Sequence, residues 1–98
     1  MPILLDDYVL ETLMADLVGH DHHPSAFLVY LALWRLTGGG ERPAVASLRQ
    51  LAEETGLSRR AVQDAVARLA ARRLVETERE GITDVPTYRV LRPWVRGR

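Results

Sequence analysis

Residues 47–73 read SLRQLAEETGLSRRAVQDAVARLAARR, two helices written back to back around one turn. The first opens at Ser47, whose hydroxyl can serve the backbone donor of Gln50 while Gln50 reaches back, the reciprocal arrangement of a capping box. This predicts a helix to about Thr55. Gly56 takes a left-handed conformation without a Cβ penalty and so stops it. After Leu57, Ser58 caps a second helix lasting to about Arg73. Ala52 lies four residues before Gly56 and Val62 six after it, which puts a small side chain where the helices come closest. Leu51, Ala52, Leu57, Val62, Ala65, Val66 and Leu69 supply one internal face. On the second helix Arg60, Gln63, Asp64, Ala67, Arg68 and Ala71 share the outer side.

Working outward, Leu74 to Glu78 and Thr87 to Leu91 read as strands, rich in Val, Thr, Tyr and Leu. Glu80-Gly81 and Asp84-Val85-Pro86 break the chain between them. Upstream, Ala44-Val45-Ala46 allows a short strand, preceded by a loop through Gly38-Gly39-Gly40. A helix from Pro24 or Ser25 to Thr37 carries Phe27, Leu28, Val29, Tyr30, Leu31, Leu33, Trp34 and Leu36. Apolar on nearly every side, it is expected to be central and buried all round. Trp34 and Tyr30, at helical spacing, read as core. The first helix runs from Asp6 to Val18, with Asp6 or Asp7 as its cap and Gly19 as its end. Val9, Leu10, Leu13, Met14, Leu17 and Val18 occupy one half of it. The order of elements gives a mainly α fold with a small β-hairpin, in the α+β class.

The chain of 98 residues makes one domain: residues 1–23 an N-terminal helix and loop, 24–92 the core, 93–98 a basic tail. Apolar residues at 47% rule out disorder over most of its length. The formal net charge is zero, but it is unevenly placed. Residues 1–41 hold six acids and one base, a balance of −5, and residues 42–98 hold twelve arginines and seven acids, a balance of +5. The basic half is the one that meets an anion. With no cysteine there are no thiolate metal sites, and no apolar run approaches the length of a bilayer span. No secretory signal opens the chain, so the cytoplasm is the expected compartment. His20-Asp21-His22-His23 offers ligand types that suit zinc but no fourth ligand in register, and reads as an interhelix loop. No nucleophile motif, paired catalytic carboxylates or phosphate-cradling loop is present, so neither catalysis nor a cofactor is expected.

The run LxxLAEETGLSRRAVQDAVARL, from Leu48 to Leu69, followed by Leu74-Val75 entering a strand, resembles the winged helix-turn-helix family of bacterial DNA-binding regulators. The resemblance extends over the wider run from Leu28 to Glu78, about half the chain. It implies a winged helix with an added N-terminal helix, binding double-stranded DNA as a transcriptional regulator. The helix after the turn would enter the major groove, with Ser58, Arg59, Arg60, Gln63, Asp64 and Ala67 as its reading residues. Helical spacing adds Arg68 to that face. Arg60 can offer two donors to guanine and Gln63 can pair with adenine. Asp64 is read as an intrahelical partner of Arg60 or Arg68, and Arg49 as a phosphate anchor. Arg79 is the basic candidate on the hairpin, among Glu76, Glu78, Glu80 and Asp84, which would repel phosphates. Leu10, Leu13, Met14 and Leu17 are expected to form a homodimer interface. The alternatives are a winged helix used for protein–protein contact in a replication or partition assembly, and a metal enzyme built on the histidine loop.

Overall fold

The computed structural model describes residues 2–79, 81 and 85–95 of the chain. Its elements are an N-terminal helical segment over residues 7–20, α1 (Pro24–Leu36), β1 (Ala44–Val45), α2 (Leu48–Thr55), α3 (Arg59–Ala71), β2 (Val75–Glu78) and β3 (Thr87–Val90). The expected order of elements is observed. In place of a bare hairpin, β1 joins it to form a three-stranded antiparallel sheet in the order β1-β3-β2. Ala44 faces Tyr88, and Thr77 faces Tyr88 from the other side. Because alternate side chains point to opposite faces, Val75, Tyr88 and Val90 turn inward and are buried. Glu76, opposite Arg89, and Glu78 are exposed. Arg89 thus offsets one of the acids on the outer face of the sheet.

The core is built around α1. Val29, Tyr30 and Leu33 have no exposed surface, and neither do Leu51 of α2 or Val62, Ala65 and Leu69 of α3. The buried Tyr30 hydroxyl donates to Leu91 O at 3.0 Å, and Trp34 Nε1 donates to Leu4 O at 2.9 Å. Both polar tips are therefore satisfied, which lets the rings serve as core. Burial pushes the Tyr30 phenol well above its ordinary range. The helix is not covered on every side: Leu28 remains 43% exposed. Its apolar composition overstates its burial at that position.

The N-terminal segment departs from the sequence expectation in three ways. First, it is wound with π-helical i→i+5 bonds over Val9–Leu13 and Ala15–His20. The Asp21 N–H reaches Asp16 O at 2.8 Å, so the helix runs through Gly19, and His22 makes the reversal at φ 53°. Second, neither Asp6 nor Asp7 caps it with a side chain. The Asp6 carboxylate instead accepts from Arg92 Nε at 3.0 Å and from Trp94 Nε1 at 2.9 Å. Tyr8 stacks on Trp94 at 4.5 Å, and the Arg92 guanidinium sits 5.6 Å from the Trp34 ring centroid. Arg92 is thus a structural tie between the N-terminal segment and the residues after β3, while Arg96 and Arg98 of the expected basic tail lie outside the described residues.

Third, the apolar half of this segment divides into two stripes. Val9, Leu13 and Leu17 are buried in the same core as α1, and Leu10, Met14 and Val18 are 51%, 43% and 37% exposed. Leu13 and Leu17 are therefore covered within the protomer, which corrects their assignment to a dimer interface. Only Leu10 and Met14 of that set remain on the surface, joined by Val18.

Candidate nucleic-acid interface

The helical pair at residues 47–73 is set by its caps. Ser47 Oγ accepts from the Gln50 N–H at 3.0 Å, and Ser58 Oγ accepts from the Ala61 N–H at 3.0 Å. Between them Gly56 adopts φ 78°, with its N–H on Ala52 O at 2.9 Å. A side chain at that φ would strain the backbone, so glycine here fixes the turn. Leu57, half-buried, packs against the core just after the turn. Arg72 ends α3 and Arg73 takes a left-handed φ of 58°, so the helix stops two residues before its expected limit.

Packing against α1 then decides what α3 presents. Val62, Ala65 and Leu69 are buried, which turns Arg59, Arg60, Gln63, Asp64, Ala67, Arg68 and Ala71 outward, all of them exposed. Ser58, at the positive end of the helix dipole, is exposed beside them. The sequence-predicted reading residues thus occupy one continuous face, kept thin by Ala67 and Ala71. Arg60 Nε lies 3.7 Å from Asp64 Oδ2, and the Arg60 side chain is 83% exposed. The Asp64 carboxylate is one turn away and steadies the guanidinium without covering it.

Arg49, on the first turn of α2, is also exposed, with Nε 3.3 Å from Glu53 Oε2. Pairs this open to solvent are held weakly, so a phosphate can replace the carboxylate at either arginine. Arg35 and Glu54 form an ion pair that ties α1 to α2. The Arg49–Glu53 spacing of four was legible in the sequence; the Arg35–Glu54 pair, nineteen residues apart, was not.

Arg79 is exposed beyond the end of β2, and its charge acts on the Tyr88 phenol, opposing the upward push from burial. Glu76 and Glu78 stand on the same hairpin; Glu80 and Asp84 lie outside the described residues. At the opposite end of α3, Arg72 Nε lies 3.2 Å from Asp21 Oδ2 and its terminal nitrogen 3.7 Å from Asp16 Oδ2. Asp21 also meets His20 Nδ1 at 3.1 Å. The histidine loop therefore engages a helix end, as an interhelix loop would. Among the described residues no three His, Cys, Asp or Glu side chains gather as for a metal ion.

Among the described residues no helix is long and apolar enough to cross a membrane. A family model described as a helix-turn-helix domain matches residues 23–75, more than half of the chain. No curated protein and no solved structure gives a significant match.

Proposed function

We infer the function from the family to which the chain belongs, that of helix-turn-helix domains: it binds double-stranded DNA sequence-specifically and serves as a transcriptional regulator in the cytoplasm. The observation that carries the reading is the outer face of α3, where Arg59, Arg60, Gln63 and Arg68 stand exposed on a helix whose other face is buried. A helix of this kind fits the major groove, and its side chains match base edges. Ser58 and the start of α3 bring backbone N–H groups toward the phosphates, and Arg49 adds a second anchor from α2. Arg79 is the hairpin's contribution, beside acids that limit it.

Selection of binding sites from random duplexes tests this directly. With the selected site in hand, Arg60→Ala should weaken binding by about 1–3 kcal/mol and relax preference at one base position. Arg49→Ala should weaken all duplexes about equally. If the two variants behave alike, the division into base reader and phosphate anchor is wrong. The exposed Glu76 and Glu78 favour a second reading, contact with another protein through the hairpin. Failure to retard any duplex at low salt would select it.

The stripe Leu10, Met14 and Val18 suits a two-fold contact with a second copy. Such a dimer would place two α3 helices about one DNA turn apart, so the selected site would be a rough palindrome with half-sites roughly 10 base pairs apart, centre to centre.

A further inference from the structure

The end of α3 is held on its inner side by buried Leu69 and Leu74, with the Leu74 N–H on Leu69 O at 2.9 Å. Between these two, Ala70, Ala71, Arg72 and Arg73 are exposed. On the outer side the tie is ionic and runs through Arg72, and both of its carboxylate partners, Asp16 and Asp21, come from outside the matched helical pair. Asp16 lies in the N-terminal segment and Asp21 immediately follows it.

Asp21 is the informative partner. Its side chain is only 7% exposed, and among the described residues its Oδ2 is a buried side-chain oxygen without a hydrogen bond. The Arg72 guanidinium, 3.2 Å away, supplies charge there but no aligned donor. A carboxylate withdrawn from water in this way is costly unless an opposite charge remains beside it. Arg72 also sits at the C-terminal end of α3, where a positive charge suits the helix dipole. Contact with His20, assisted by Arg72 and Arg68, holds the Asp21 carboxyl below its ordinary range against the effect of burial.

We propose that Asp21, with Asp16, is a positioning residue for the DNA-reading helix: acting through Arg72, it fixes the C-terminal end of α3 and hence the angle at which Arg60 and Gln63 meet the groove. The N-terminal segment is then part of the reading device. This rests on the DNA-binding function proposed above.

The test compares Asp21→Asn, Asp16→Asn and Arg72→Lys with the parent on the selected site and on an unrelated duplex. Asp21→Asn should lose roughly tenfold on the selected site, comparable with one base contact. It should lose nothing on the unrelated duplex, because the substitution removes a negative charge. Arg72→Lys keeps the charge but loses the fork that reaches two carboxylates, so on the selected site it should fall between the parent and Asp21→Asn. In parallel, amide exchange should quicken at residues 69–73 of Asp21→Asn and stay unchanged in α1. A folded Asp21→Asn with parental affinity and exchange overturns the proposal, as does an equal loss on both duplexes. Should Asp21→Asn fail to fold, the exposed partner variant Asp16→Asn carries the same expectations in weaker form. A parent that binds no duplex defeats the DNA-binding reading, and amide exchange then decides alone whether the clamp holds the helix end.

Discussion

Raising the salt from about 50 to about 200 mM is expected to weaken duplex binding by roughly 250- to 1,000-fold, a log–log slope on the order of −4 to −5. The size follows from which arginines are available. Twelve lie in residues 42–98, but Arg72 is committed to Asp16 and Asp21, and Arg92 to Asp6 and the Trp34 ring. Arg42 packs against the backbone of Gly38, away from the helical pair. Arg89 faces Glu76 across the sheet. Arg96 and Arg98 lie outside the described residues; of the others, Arg49, Arg59, Arg60, Arg68 and Arg73 are exposed on or next to the helical pair and Arg79 on the hairpin. Together with the backbone at the start of α3, they can neutralise about four to six phosphates, each releasing close to one counterion. Titrations by fluorescence anisotropy at several salt concentrations give the slope. A value near zero would mean that these arginines do not meet phosphates, and the DNA-binding reading would fail with it.

The helical pair was legible because its determinants are local. Ser47, Gly56 and Ser58 act within three or four residues of themselves, and the inner and outer faces of α3 follow from helical spacing alone. What escaped depends on distant partners. Asp6 looks like a helix cap to anyone reading its neighbours, yet its carboxylate goes to Arg92 and Trp94, more than eighty residues away. Gly19 reads as a helix end, but a widened π-helical turn carries the chain past it. The strand pairing of Ala44 with Tyr88 is likewise non-local, so a hairpin was expected where a three-stranded sheet forms. At the candidate site the face that α3 turns outward follows from helical spacing, whereas the part played by Arg72, at the end of α3, does not. Its role appears only when the N-terminal segment is folded against it.

The same division decides how two neighbouring leucines respond to a charge. Leu13→Glu is expected to unfold the domain, and Leu10→Glu to leave it folded. Leu13 is 4% exposed and packs in the core with Val9, Leu17 and α1. A carboxylate there has lost its water, and no cation stands among those apolar neighbours. Burying it unpaired costs several kcal/mol on top of the lost leucine packing, against a total stability of about 5–15 kcal/mol for a domain. At Leu10, 51% exposed, the new charge reaches solvent, and the change in stability should stay within about 0.5 kcal/mol. Circular dichroism melts separate the two; a Leu13→Glu variant that melts like the parent would contradict its burial. Light scattering then reads the surface stripe. If Leu10, Met14 and Val18 join two copies, the parent has the mass of a dimer, and Leu10→Glu combined with Met14→Glu has that of one folded chain, because two facing pairs of carboxylates would meet across the two-fold axis in place of apolar contact. A parent with the mass of a single chain ends the dimer proposal, and a double variant that stays dimeric moves the interface elsewhere.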